Sequence, residues 1–183
     1  MSGHNKWSQI KRKKAVTDTQ KSKIFSKLAR LIVTQARIAK GDTNSPILRA
    51  VIEKARKANM PIDNIERAVK KATESSAQME AIIYEAYGPG GVGIIIETLT
   101  DNHNRTVQEI KHILSKNEVS LAGIGSVIWA FSAKGGPASG GQGENWIPTT
   151  TISLSDEDLY KLEKLADELE ENDDVQEVYT NAE

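Results

Sequence analysis

The chain has no cysteine, which excludes disulfides and thiolate metal sites and fits a reducing compartment. It has no run near the roughly 18 consecutive apolar residues that cross a bilayer, and its amino end lacks the apolar core of a secretory signal. The expectation is a soluble, cytoplasmic chain that does not enter membranes. Histidine is scarce: His4, His103 and His112 are scattered without paired ligand spacing, so no metal site is expected. No Ser-His-Asp order or nucleophile elbow is present. Gly88-Pro89-Gly90-Gly91 is not followed by the Lys-Ser/Thr of a phosphate loop and falls between two strand-like runs, as a hairpin turn would. These absences argue against an enzyme, a cofactor or a small-molecule substrate.

Net charge is also nearly absent, at −1, but only by cancellation. Residues 1–76 hold 18 Lys and Arg against 6 Asp and Glu, and residues 77–183 hold 6 against 19. Within the first 40 residues, 11 cations face a single acid, Asp18. Such a separation exceeds what an ordinary solvated surface needs and points to a polyanionic partner.

Residues 3–20 show no apolar period and read as a flexible arm. From Ser22 to Lys40, Ile24, Leu28, Leu31, Ile32, Ile38 and Ala39 recur at helical spacing, and Gly41 ends the element. A second helix follows Ser45 as N-cap with Pro46 at its first position, burying Ile47, Leu48, Val51, Ile52 and Ala55. A third begins at Pro61, with Ile62, Ile65, Val69 and Ala72 inward. Three such stripes can close on one another as a small bundle.

The polar stretch at residues 73–78 marks a domain boundary, beyond which the period changes to two. Ala81–Tyr87 and Val92–Leu99 read as strands. Asp101–Thr106 supplies caps for a helix carrying Val107, Ile110, Ile113 and Leu114. Ser126–Ser132 alternates as a strand with Val127, Trp129 and Phe131 on its buried side, and Trp146 reads as a plug at a strand end. Residues 134–145 form a Gly/Ser-rich loop, Thr150, Ile152 and Leu154 alternate as a further strand, Ser155 caps an acid-opened helix, and Val175–Thr180 closes the chain. The fold class is α+β: an N-terminal three-helix bundle over residues 1–74, then a ferredoxin-like split βαβ sandwich over residues 79–183 with one extra strand ahead of it.

On a helical wheel Lys23, Lys27, Arg30, Thr34 and Arg37 form a stripe opposite the apolar one, without the Glu partners that make i,i+4 pairs. The arm adds His4, Lys6, Trp7, Lys11, Arg12, Lys13 and Lys14, and Lys21 follows at the helix start. Trp7 offers a face on which a base could stack, and the cations suit phosphates. A membrane surface fits less well, because the arm lacks the Leu and Phe that would insert beside its charges. Asn104 and Arg105 lie at a predicted helix N-terminus and allow two readings, an anion site or plain capping. Asp173-Asp174, at a helix-to-strand turn, is expected to cap or to be solvated.

Ser2-Gly3-His4-Asn5-Lys6-Trp7, with Lys13, Asp18 and the run Lys21 to Phe25, resembles the N-terminal signature of the YebC family. That family comprises bacterial proteins similar to the mitochondrial translational activator of cytochrome oxidase. The blocks Tyr84 to Gly91, Thr100 to Thr106 and Asn172 to Tyr179 agree, so the likeness runs along nearly the whole chain. Members of that family usually carry a further α/β domain between the strands flanking residues 134–145, where this chain has only the loop. The resemblance implies nucleic-acid binding in one of two settings: a ribosome-associated translation factor easing elongation through sequences such as proline runs, or a DNA-binding transcriptional regulator. Cations on an arm and one broad stripe suit backbone and shape better than base edges, which favours ribosomal RNA or tRNA over DNA.

Overall fold

The computed structural model describes residues 18–74, 79–134 and 145–183. The arm at residues 3–17 and most of the Gly/Ser loop lie outside the described residues. The described residues fall into a helical unit within Val16–Met79 and an α/β unit within Glu80–Glu183.

The helical unit contains α1 (Asp18–Ile38), α2 (Pro46–Lys57) and α3 (Ile62–Glu74). Gly41 ends α1 as expected, with a positive φ of 81° and its amide donating to the Ala36 carbonyl at 2.7 Å, a helix stop that glycine adopts without steric cost. Pro46 opens α2, but the Ser45 hydroxyl makes no capping bond. The core is Leu28, Ile32, Val33 and Ala36 of α1 against Leu48, Ile52 and Ala55 of α2 and Ile65, Ala68 and Ala72 of α3. Each fully buried Leu or Ile contributes about 1.5–3 kcal/mol.

The seam of α1 is rotated from the expected one. At 100° per residue, Leu28, Ile32 and Ala36 mark its centre, and Ile24 and Ile38 fall on its flank and stay exposed. Ile47 and Ile62, expected inward, are likewise exposed; both sit in the first turn of their helices.

The α/β unit begins with β1 (Glu80–Tyr87) and β2 (Gly93–Thr100), paired antiparallel along all eight residues from Glu80↔Thr100 to Tyr87↔Gly93. Their connection is a tight 3-10 turn at Pro89–Gly91. Gly90 has φ 67°, and a β-carbon there would lie 2.3 Å from Leu154 Cδ2. Next comes α4 (His103–Lys116), then β3 (Phe131–Lys134), β4 (Asn145–Pro148), α5 (Asp156–Glu171) and β5 (Val175–Thr180). The main sheet has the order β1-β2-β5, antiparallel throughout, with a register shift between Glu97 and Thr98.

Every residue of β2 is buried, because both faces of the sheet are covered. Ile94 and Ile96 pack with Ile110 and Leu114 of α4 and Leu162, Leu165 and Leu169 of α5. On the opposite face Ile95 packs with Val127, Ala130 and Phe131.

The α+β class, the leading helices and the extra strand β1 match expectation, while the pairing differs from a single four-stranded ferredoxin-like sheet. The extra strand occupies one whole edge of β2, and β3 and β4 pair with each other as a separate hairpin, from Phe131↔Pro148 to Lys134↔Asn145. The strand expected at Thr150–Leu154 reduces to one parallel bridge, Ile152↔Ala182.

The expected strand Ser126–Ser132 is instead a turn with a 3-10 segment at Ile128–Ala130, and β3 begins only at Phe131. The cause is Glu85. Its buried carboxylate accepts the amides of Gly125 (2.6 Å), Val127 (2.6 Å) and Ile128 (2.9 Å), removing the donors that a strand would offer to a neighbour. Trp129, expected in the core, is exposed as a result.

Candidate nucleic-acid interface

The structure places the predicted contact residues unevenly. His4, Lys6, Trp7, Lys11, Arg12, Lys13 and Lys14 lie outside the described residues. Lys21 is exposed on the first turns of α1. Lys23, Lys27, Arg30 and Arg37 are partly buried, and each engages other groups of the chain. Thr34, predicted on the same outward stripe, is buried, and its hydroxyl donates back to the Arg30 carbonyl at 3.0 Å. The stripe is therefore less open than its wheel position suggests.

A second set of cations, missed by the sequence reading, stands open on the other two helices. Lys54, Arg56 and Lys57 are exposed in the last turn of α2, where positive charge also complements the helix dipole. Arg67, Lys70 and Lys71 are exposed on α3. The signal was present: these cations alternate with the buried Ile52, Ala55, Ala68 and Ala72, so the seam that packs the helices also turns them outward. Two pairs, Arg49–Glu53 at 3.8 Å and Lys70–Glu74 at 3.6 Å, are long and exposed. Such pairs contribute little and yield readily to a polyanion. Between α2 and α3 lies an open cleft of about 540 Å³, lined by the apolar Ile52, Ile62, Ile65 and Val69 and by charges of both signs, Arg49, Arg56 and Lys70 with Glu53 and Glu66.

In the α/β unit, the N-terminus of α4 takes the capping form of its two readings. Asn102 is the N-cap and accepts the Arg105 amide at 3.1 Å. The Arg105 guanidinium donates to Asp174 at 2.8 Å and Asp101 at 3.0 Å, with Glu109 at 3.9 Å. The hydrogen bond it donates to Asp174 chiefly holds the guanidinium above its ordinary pKa; partial burial opposes this and Asp101 adds to it. Its charge is balanced internally, and Asn104 beside it is exposed.

Asp174, expected to cap or to be solvated, is buried and also accepts from Thr106 Oγ1 (2.6 Å) and Thr100 Oγ1 (3.1 Å). The Tyr84 ring meets His103 edge-on at 6.4 Å. Burial first, and Asp174 second, push the Tyr84 phenol above its usual pKa. Trp146 donates from Nε1 to the buried Glu97 at 2.7 Å. These buried acids lock the fold. Among the described residues no group of three or more His, Cys, Asp or Glu is placed to hold a metal, and no helix is long and apolar enough to cross a membrane.

A basic helical unit joined to an α/β unit of this topology defines the class, and comparison with known proteins gives it a family. Residues 5–75 match the TACO1/YebC protein N-terminal domain. Residues 79–139 and 140–182 match the TACO1/YebC second and third domain. The chain belongs to the TACO1/YebC family.

A relative from Fervidobacterium nodosum is 44% identical over 236 residues, covering 99% of this chain and 93% of that protein. One from Chlorobium luteolum is 40% identical, covering 100% and 96%. Both carry the name "probable transcriptional regulatory protein". The crystal structure of a conserved hypothetical protein from Aquifex aeolicus is similar with a TM-score of 0.82 at 33% identity, covering 97% of this chain and 96% of that one. The first of these alignments runs over 236 residues against the 183 of this chain, so that relative carries residues this chain lacks.

Proposed function

We propose that the chain is a non-enzymatic, nucleic-acid-binding regulatory protein whose helical unit neutralises phosphates. The carrying observation is the open set Lys54, Arg56, Lys57, Arg67, Lys70 and Lys71 on α2 and α3, in the half of the sequence where cations outnumber acids three to one. The arm cations and Trp7 extend the same positive half. The acidic α/β unit repels a polyanion and so leaves the helical unit to make the contact.

The name shared by the relatives supports DNA as the ligand and transcription as the process. A second reading, structured RNA such as ribosomal RNA or tRNA at the ribosome, is favoured by the spread of open cations over two helices. No single helix collects them as a base-reading helix entering a major groove would.

The test is a binding titration of duplex DNA and of structured RNA across a salt series. If about six phosphates are met, the log–log slope is near −5 on duplex DNA. Charge reversal at Lys54, Arg56 and Lys57 together is expected to flatten that slope and weaken binding at least roughly tenfold. An unchanged slope in that variant removes α2 from the interface. Preference for one DNA sequence over bulk duplex supports transcription; preference for structured RNA, with release from ribosomes by the same variant, supports translation.

A further inference from the structure

The α/β unit has one region built without charge. Ala86–Ile96, Val119–Ala133 and Asn145–Ser155 contain no Asp, Glu, Lys or Arg, in a chain of which 27% is charged. Apolar side chains from the first two of these segments stand in solvent: Tyr87 at 49%, Trp129 at 66%, and Ile124 fully exposed at the tip of the 121–127 turn.

They are also held in place. The Tyr87 hydroxyl and the Trp129 indole N–H both donate to the Ser126 carbonyl, at 2.6 and 2.7 Å. The turn beneath is clamped by the three amides on Glu85 and by the Ala122 amide on the Glu85 carbonyl at 2.8 Å. The polar atoms of both rings are thus used inside the molecule, and what faces outward is apolar ring and aliphatic surface. Pre-positioned Trp, Tyr and Ile with few rotamers left to lose are costly to leave in water and cheap to dock.

We infer that Tyr87, Ile124 and Trp129 form a self-association surface, whose occupant is the same patch on a second copy of this chain. Charge selects the occupant. A nucleic acid requires cations beside its stacked bases, and these segments supply none. Elsewhere the unit is strongly acidic, so two α/β units meeting through another face would oppose like charges. This patch buries none when it meets itself. A two-fold axis through it makes the contact self-complementary, and an interface core of aromatics depleted in charge has the expected composition. The inference is independent of the nucleic-acid reading, because it uses no residue of the helical unit.

Sedimentation velocity on the full chain across the micromolar range, at low and high salt, tests it. The expected result is a monomer–dimer equilibrium that tightens as salt screens the acidic units from each other, opposite to the trend for nucleic-acid binding. Ile124→Ser and Trp129→Ser should each weaken dimerisation by roughly tenfold or more, and Lys57→Ser on the helical unit should leave it unchanged. Ile124 protrudes fully into solvent, so its replacement leaves the fold intact and decides the matter even if Trp129→Ser disturbs the turn. A monomer at every concentration, a dimer indifferent to Ile124→Ser, or a dimer that loosens with salt overturns the inference.

Discussion

Replacement of Glu85 by alanine tests most directly how the α/β unit holds its exposed turn. The wild-type carboxylate, 5% exposed, accepts three backbone amides at 2.6, 2.6 and 2.9 Å. A hydrogen bond to a charged group contributes about 1.5–3 kcal/mol net, and a buried donor left without an acceptor costs about 1–3 kcal/mol. The three are not additive. The Gly125 and Ile128 amides lie in partly buried settings and can recover water, whereas that of Val127 is buried. The expected destabilisation of the α/β unit by Glu85→Ala is therefore about 3–5 kcal/mol, a large share of the roughly 5–15 kcal/mol that holds a domain folded. Glu85→Gln keeps one carbonyl oxygen for Val127 and Ile128 and turns its amide toward the Gly125 N–H, so its cost should be about 1–3 kcal/mol. Urea unfolding followed by tryptophan fluorescence gives the energies, and amide exchange at Val127 and Ile128 locates them. Unfolding of Glu85→Ala within about 1 kcal/mol of wild type, or unchanged exchange at those two amides, refutes the clamp.

Three further outcomes are expected. Tyr84→Phe removes a buried hydroxyl that has no hydrogen-bond partner and should leave thermal stability unchanged or raise it by up to about 1 kcal/mol; a clear loss counts against the isolation of that hydroxyl. Gly90→Ala forces a β-carbon into Leu154 at a positive φ and should cost about 1–3 kcal/mol in chemical denaturation, so a neutral result contradicts the turn geometry. The Glu168 carboxyl is held below the usual carboxylate range by the Asn117 amide and then by Lys116. Because its folded pKa is depressed, its contribution to stability is present above the unfolded value and fades as pH falls through the folded one. Carbon-13 titration of Glu168 should show a midpoint below that of an unfolded glutamate, and a midpoint at or above it contradicts those contacts.

Helical periodicity located all three helices of the basic unit, because a 3.6-residue apolar pattern survives in any context that buries one face. It erred at the flanks. Ile24, Ile38, Ile47 and Ile62 carry the right hydrophobicity but sit at the edge or in the first turn of their helices, where neighbours cover them only in part. The β-hairpin at residues 80–100 was legible from its glycine turn and apolar runs. The turn before β3 was not, because Val127, Trp129 and Phe131 alternate as a strand would. What overrides that alternation is a glutamate more than 40 residues away along the chain, seated inside an apolar strand. Glu85, an acid inside the otherwise uncharged run Ala81–Tyr87, was the clue on offer.

For the candidate interface, counting charge pointed to the N-terminal part of the sequence, but the wheel of α1 could not reveal that Thr34 is buried and its neighbours partly so. The open cations of α2 and α3 emerge only once the seam between the helices is known. The burial of Asp174 was hidden for a related reason: the three donors that satisfy it, on Thr100, Arg105 and Thr106, are far from it along the chain.

The pairing of Lys134 with Asn145 at the open end of β3 and β4 makes that point of the α/β unit a socket. Cross-strand partners in an antiparallel ladder stand about 4.5–5.5 Å apart between α-carbons, so any module whose own ends lie side by side can be seated there or left out without re-registering the rungs behind it. Lengthening the intervening chain adds entropy cost only logarithmically, about 0.6 kcal/mol per doubling. Family members of different length can thus share one scaffold, and a fluorescent or affinity module spliced at this rung would report on the protein while leaving β1, β2 and β5 as they are.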